Sequence, residues 1–283
     1  MNLAVIGIND EALAFAKIIN CQSTSALKCT GIYSSNLNSA VKNAMKLNIK
    51  AYTKLDDAIR DADILLFGLP ESKLADCSSS LKQMHMRNKI LCHIGPNRDS
   101  SVLSCGTTNA CYSIYLPYKY QKPQCIENED ELIMIEGGGK RSEEFEEALR
   151  CTNLNFVCCT PSEKRLSKIA FRIIHTHLKA LISAAIHLFK IAGIYDKERF
   201  CSSIQKMVSE VCRNQKFEKS VVKIDAGEIK QNTKLLGTIN SGDMKEYYKN
   251  LELHMAECDV YGQNEKIEIL RSLGKMPRSK RSV

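Results

Sequence analysis

Residues 3–12 read Leu3-Ala4-Val5-Ile6-Gly7-Ile8-Asn9-Asp10-Glu11-Ala12, and their order decides the fold. An apolar, β-branched run stops at a glycine. From Asp10 to Asn20 the residues Ala12, Phe15, Ala16 and Ile19 then recur at helical spacing. The stretch is a strand, a tight turn and a helix.

The same alternation continues outward. Strands are predicted at Cys29–Tyr33, Ile49–Tyr52, from Asp63 to a stop at Pro70, and at Lys89–Cys92, with helices at Leu37–Leu47, Leu55–Ile59 and Ser72–Met84 between them. Single helices between strands demand crossovers, and right-handed crossovers build a parallel sheet covered on both faces. After Asn97, strands at Cys111–Leu116, Leu132–Glu136 and Asn155–Cys158, with a helix at Ser142–Arg150, extend that sheet.

From Ser162 the pattern changes to one long apolar helix reaching Ala192, stopped by Gly193. Helices at Lys197–Cys212, Phe217–Val222, Asp243–Tyr261 and Glu265–Leu273 follow. The expected fold is α/β: an N-terminal Rossmann-type doubly wound sheet, then a mainly α-helical C-terminal domain. Thr160-Pro161 marks the boundary, giving a nucleotide-binding domain over 1–160, a helical domain over 161–274 and a disordered basic tail over 275–283.

Composition limits the function. A length of 283 residues suits two domains, and 44% hydrophobic residues supply a core for each. Part of the net charge of +8 sits in the last stretch of the chain, at Arg271, Lys275, Arg278, Lys280 and Arg281, and the chain has no Trp. No nucleic-acid partner is expected, because that role asks for cations interleaved with stacking aromatics. Thirteen cysteines without a paired framework suit a reducing, cytoplasmic setting in which each is a small buried hydrophobe. No basic region precedes the first strand, so no secretory leader is expected. The apolar runs Leu3–Ile6, Ile64–Leu69, Ile90–Cys92 and Leu132–Ile135 fall short of the ~20 residues that span a bilayer, so no membrane partner is expected. Neither a Cys-x-x-Cys pair nor a shared helical face among His175, His177 and His187 is present, so no metal is expected.

The first turn is where such a sheet grips a dinucleotide. Close backbone approach needs glycine, and the next helix presents free N–H groups to the diphosphate. Against G-x-G-x-x-G/A, Gly7 and Ala12 match, Asn9 replaces the middle glycine, and Asp10 and Glu11 bring negative charge. Two readings stand: Gly7, Ile8 and Asn9 hold a cofactor, or Gly7 only turns the strand into a helix capped by Asn9 or Asp10. After the second strand, Tyr33-Ser34-Ser35-Asn36 carries no acid for a ribose diol. Ser34 and Ser35 there favour NADP over NAD, with Lys42 the nearest cation. Gly137-Gly138-Gly139 before Lys140 lacks phosphate-loop spacing and reads as a flexible turn.

The whole chain resembles a bacterial family in which a Rossmann-like NADP-type domain precedes a helical domain of unknown function, a relative of pyrroline-carboxylate reductase and of deazaflavin-dependent NADP reductases. The resemblance rests on Ile32-Tyr33-Ser34, Ala62-Asp63-Ile64-Leu65-Leu66 with Leu69-Pro70, His93 followed by Gly95, Ala192-Gly193-Ile194, and the run from Leu235 through Gly237 to Gly242-Asp243. It implies that Gly68, Leu69 and Pro70 close on the cofactor, and that Gly237, Gly242 and Asp243 form a substrate or interdomain loop. The departures are polar: Ser167-Lys168 stands for the family's Tyr-His, Thr176 for its Asn, Ser35 for its Arg after strand two, Tyr115-Leu116 for its His-Pro, and Ser241 for the Arg before Gly-Asp.

Three side chains are candidates for chemistry. His93, at the carboxyl edge of the sheet, is a general acid or a loop histidine bonded to backbone. Lys168, one turn into the long helix, holds an anionic ligand or is a surface lysine among Glu163, Lys164 and Arg165. Tyr115 donates a proton to a reduced carbonyl or imine, or is a core tyrosine. The resemblance implies an NAD(P)-dependent oxidoreductase-like protein acting on a small polar metabolite. The competing expectation is a non-catalytic ligand-sensing or assembly relative with a degraded dinucleotide turn. A homodimer through the helical domain is expected, because the long helix has more apolar face than one sheet edge covers.

Overall fold

The computed structural model describes residues 1–21, 26–84, 86–105, 108–117, 132–152, 154–213, 225–238, 242–257 and 263–275. The chain gathers into two compact units, Met1–His177 and Leu178–Val283.

In the first unit β1 (Asn2–Ile6), α1 (Asp10–Cys21), β2 (Lys28–Tyr33), α2 (Leu37–Leu47), β3 (Lys50–Tyr52), α3 (Leu55–Asp61), β4 (Ile64–Phe67), α4 (Leu74–Gln83) and β5 (Ile90–Ile94) alternate as the sequence predicts. β6 (Ala110–Tyr115), β7 (Ile133–Gly138), α5 (Ser142–Arg150), β8 (Phe156–Cys159) and α6 (Pro161–Arg172) follow. The strands form one sheet in the order β3-β2-β1-β4-β5-β6-β7-β8. β4 is Ile-Leu-Leu-Phe and buried at every position, as a central parallel strand covered on both faces has to be.

One face packs Leu3, Val5, Ile64, Leu66 and Ile90 against Phe15 of α1 and Phe145 and Leu149 of α5. The other packs Ala4, Leu65 and Leu91 against Ala58 of α3 and Leu74 and Leu81 of α4.

The sheet departs from the expected parallel order at β7, which runs antiparallel to β6, while β8 pairs parallel with β7. β7 starts at the edge where β6 ends, so the chain reverses there instead of crossing over, and α5 is the crossover for β7 to β8. Gly137 and Gly138 close β7 instead of forming a flexible turn. Gly137 has φ +135°, and a Cβ there would fall on the carbonyl oxygen of Cys111. A bare backbone is what lets the two strands approach.

The expected helix over 162–192 is α6, a π-helical stretch Ile173–Leu178 and α7 (Lys179–Ile191). Thr160 caps α6 through Glu163 N while the Glu163 carboxylate returns to Thr160 N, with Pro161 at the first helical position. The helical run Pro161–Ile191 is long and apolar enough to cross a membrane, with mean hydropathy 1.3 in its most apolar window. It passes by length and composition alone where the unbroken apolar runs fall short, because its apolar residues are spread along a helix that also carries Lys164, Arg165, Lys168 and Arg172.

The second unit continues with α8 (Lys197–Arg213), α9 (Ala226–Thr238), α10 (Gly242–Glu257) and α11 (Gln263–Ser272). Ile229 of α9, Ala256 of α10 and Ile269 of α11 form its small core, and Asn232 Nδ2 donates to Tyr248 Oη at 3.0 Å. α9 was not predicted from the sequence. The helix predicted at Phe217–Val222 and the tail beyond Lys275 lie outside the described residues.

Candidate nucleotide-binding site

The turn after β1 is held by backbone. Gly7 N donates to Tyr33 O at 2.8 Å, so the turn is hung on the end of β2. Gly7 sits at φ +86°, where a Cβ would meet Leu69 Cδ2 at 2.6 Å and Gly68 O at 2.8 Å. Gly68 is equally tight, with 2.9 Å between its hypothetical Cβ and Ala12 Cβ. Glycine is therefore needed on both sides where β1 and β4 deliver their loops.

Asn9 fills the helix start. Its Oδ1 accepts from Ala12 N at 2.7 Å and its carbonyl accepts from Leu13 N at 3.1 Å, so Asn9 caps α1 and occupies one N–H that a diphosphate would use. Asp10 and Glu11 form the first turn of that helix. At the next helix Asn36 Oδ1 accepts from Ser39 N at 3.1 Å, Ser34 Oγ accepts from Asn36 N at 3.3 Å, and the first turn carries no acid.

Between these loops lies a cleft of about 430 Å³ at the carboxyl ends of β1, β2 and β4. Gly7, Ile8, Ser34, Ser35, Gly68, Leu69 and Pro70 all line it, so the structure brings together seven of the eight residues read as cofactor-binding. Asn9 is the eighth and is not on the wall. Lys42 lies on the exposed face of α2, also off the wall. The cation on the wall is Lys73, which closes a 3₁₀ turn Glu71–Lys73 just after Pro70. Sequence reasoning missed it, although a lysine three residues beyond a strand-ending Pro was the available signal.

A buried polar row crosses the sheet beyond the cleft. Phe67, His93, Ser113, Glu136 and Cys159 are successive cross-strand partners on β4 to β8, so their side chains share one face. Lys164 of α6 reaches this row. Its Nζ donates to Arg98 O at 2.7 Å, to Glu136 Oε2 at 3.1 Å and to Ser113 Oγ. Glu136 also accepts from Ser100 N at 2.9 Å and Ser100 Oγ at 2.7 Å. Read from the sequence as a surface residue, Lys164 is fully buried. The apolar stripe of α6 misled that reading: Pro161, Lys164, Ser167, Lys168 and Phe171 are its buried or half-buried positions, and Leu166, Ile169 and Ala170 are exposed.

His93 is fully buried and off the cleft wall. Its Nε2 lies 3.3 Å from Asp99 O, and its Nδ1 has no partner among the described residues. Burial, more than any neighbour, lowers its pKa to about 4, so the ring is neutral at pH 7. Tyr115, at the end of β6, is nearly buried, and desolvation followed by the Glu11 charge raises its pKa. Lys168 is bonded to Asn97 Oδ1, whose Nδ2 donates to Glu71 Oε2 at 2.7 Å. His93, Tyr115 and Lys168 share no hydrogen bond with one another among the described residues. Gly237 lies in α9, and Gly242 and Asp243 begin α10, all in the second unit.

No protein-family model and no curated protein matches this sequence. Solved structures do. A Bacteroides fragilis protein assigned as an NADP oxidoreductase is similar at TM-score 0.64 and 15% identity, over 88% of this chain and 95% of that one. An imine reductase from Pseudomonas sp. is similar at TM-score 0.64 and 12% identity, over 96% and 99%. A reductive aminase from Aspergillus terreus, solved with NADPH and ethyl levulinate, is similar at TM-score 0.58 and 13% identity, over 87% of each chain. At these identities the likeness concerns the fold, and the chain has the Rossmann-type fold with a helical C-terminal region that is shared by these NADP-type oxidoreductases and imine reductases.

Proposed function

We propose that this chain is an NADP(H)-dependent oxidoreductase-like protein acting on a small polar metabolite. The observation that carries the reading is the cleft itself, with glycines at Gly7 and Gly68, hydroxyls at Ser34 and Ser35, and Lys73 as the charged side chain of its wall. These residues fit the adenosine ribose of NADP: no carboxylate repels a ribose phosphate, and a cation stands ready for one. NADPH, when bound, supplies a hydride. Gly7 and Gly68 let the two loops that would hold it pack against each other, and Leu69 and Pro70 form part of the wall it would lie on. Lys168, bonded to Asn97 Oδ1, would bind an anionic group of the metabolite, and Tyr115 would be the proton donor.

A non-catalytic ligand-sensing role is the second reading, favoured by the capped and acidic start of α1. Cytoplasmic location and a homodimer through the helical region belong to the same proposal. The first is supported by cysteines outside any disulfide among the described residues, buried at Cys29 and Cys92 and exposed at Cys21, Cys151, Cys158, Cys201 and Cys212. The second is supported by the outward apolar stripe of α6.

Thermal denaturation with added nucleotide tests the reading. NADP or NADPH at 100 times its dissociation constant adds ~2.7 kcal/mol to stability, a clear rise in Tm. NAD raises it less. If no nucleotide moves the melt, the oxidoreductase reading falls and the non-catalytic one replaces it.

A further inference from the structure

The segment after β4 and the loop after β5 meet through one carboxylate. Glu71 follows directly on Pro70 and opens the 3₁₀ turn Glu71–Lys73. Its Oε1 accepts from Asn97 N at 2.9 Å and its Oε2 from Asn97 Nδ2 at 2.7 Å. The carboxylate lies against bare backbone, since a Cβ on Gly95 would fall on Glu71 Oε1. From the other side the same loop is held by α6 and β7. Lys164 donates to the carbonyl of Arg98, Arg165 pairs with Asp99, and Glu136 accepts from the amide and the hydroxyl of Ser100.

An asparagine amide has a donor end and an acceptor end, whereas a carboxylate accepts only. Glu71 therefore takes the donor end of Asn97 and leaves Oδ1 for Lys168, which donates to it. With the amide reversed, Nδ2 would face the ammonium, donor against donor. The acceptor that Lys168 receives is neutral, and among the described residues its ammonium makes no ion pair. The carboxylates of this loop region are engaged elsewhere, Glu71 with Asn97 and Asp99 with Arg165 at 3.0 Å. Lys168 is thus oriented by an amide dipole and keeps its charge and its remaining N–H donors for a ligand.

We propose that Glu71 and Asn97 are positioning residues for Lys168: the carboxylate fixes the amide, and the amide holds the ammonium for an anionic ligand without neutralising it. The inference rests on the reading of Lys168 as the group that binds the metabolite's anion, and it is independent of nucleotide binding. Exchanging the two functional groups separates positioning from mere support of the loop. In Glu71→Gln with Asn97→Asp the hydrogen bonds are kept with donor and acceptor interchanged: the glutamine amide donates to the new aspartate, whose other oxygen accepts from Lys168. Net charge is unchanged, but the carboxylate now pairs with the lysine itself.

Isothermal titration of the full chain with sodium oxalate, beside thermal denaturation without ligand, reads the two effects apart. The parent is expected to bind oxalate, and Lys168→Met to weaken it at least about 10-fold. Glu71→Gln alone is expected to weaken oxalate about 10-fold, because the Asn97 amide is no longer fixed. The exchange variant is expected to recover the parent's Tm and still to bind oxalate as weakly as Glu71→Gln does. Where the Tm is not recovered, Asn97→Ala decides: adding Glu71→Gln to it should weaken oxalate no further, since Glu71 acts only through Asn97. If Glu71→Gln binds oxalate like the parent, if the exchange restores affinity together with Tm, or if Glu71→Gln weakens binding further in the Asn97→Ala chain, the positioning role is wrong and the reading of Lys168 survives. If oxalate does not bind the parent, or binds Lys168→Met equally well, the reading of Lys168 falls and this inference with it.

Discussion

Lys164 Nζ lies 3.1 Å from Glu136 Oε2, with 0% and 4% of the two side chains exposed. The pair fastens the first turns of α6 to β7, and its further bonds to Arg98 O, Ser113 and Ser100 draw in the segment after β5. Arg165 repeats the tie at the surface, 3.0 Å from Asp99 Oδ1. The loop carrying Asn97, and with it the position of Lys168, is thus set by a charge pair in the interior.

Breaking that pair strands a charge. Removing one partner of a buried ion pair costs about 3–5 kcal/mol, whereas replacing both by apolar groups is often neutral. Lys164→Met is expected to lower unfolding stability by that amount in urea, and Lys164→Met with Glu136→Leu to recover most of it. A cost below about 1 kcal/mol for the single change would show that the pair does not anchor α6.

How far the sequence disclosed this depends on the element. The alternation around Leu3–Gly7 and Ile64–Phe67 is local, so the strands, crossovers and cleft glycines follow from spacing alone. Lys164 does not, because its burial depends on Glu136 lying opposite it across 28 residues of chain. On α6 the usual inference that the apolar stripe faces inward is reversed. α9 stayed hidden for a related reason: Gly227 and Gly237 near its ends and a polar middle, Lys230 to Lys234, weaken any helical period.

His93 makes a prediction about pH. Its folded pKa, about 4, lies below the ordinary value of 6.5, so between those values the unfolded chain binds more protons and stability rises with pH. The contribution is complete above about pH 6.5 and is lost as pH falls toward 4, at most roughly 3 kcal/mol. The Asp99 carbonyl raises this pKa, Lys164 lowers it, and Glu71 and Glu136 raise it, so burial is the effect that a substitution must remove. His93→Leu should flatten the fall in Tm between pH 6.5 and 4.5. An unchanged slope would place the responsible group elsewhere.

Gly137 and Gly138 are neighbours with opposite tolerance. Gly137→Ala forces a side chain at φ +135° onto the Cys111 carbonyl, while a Cβ on Gly138 meets only Ser142 Oγ at 3.5 Å. Strain of this kind costs on the order of 1–3 kcal/mol. Chemical denaturation should show Gly137→Ala destabilised by at least that much and Gly138→Ala within about 0.5 kcal/mol of the parent. Equal losses would mean that the β6–β7 approach is not what demands glycine.

The outward stripe of α6 makes the last prediction. Leu166 is 66% exposed, Ile169 56%, and Ile173 and Ile174 just beyond the helix 54% and 53%. In the second unit Phe189, Ile191 and Ile194 add large exposed apolar groups. A stable interface buries about 800 Å² per partner, and monomers rarely leave apolar patches of that order in water. Two copies related by a twofold axis can cover such a stripe with itself, because a twofold contact is self-complementary. Sedimentation at micromolar concentration is expected to show a dimer, and Leu166→Glu with Ile169→Glu a folded monomer, since both side chains already face solvent. A parent that sediments as a monomer, or a double variant that stays dimeric, would remove α6 from the interface. Partition of the parent into lipid vesicles would instead assign the stripe to a bilayer surface.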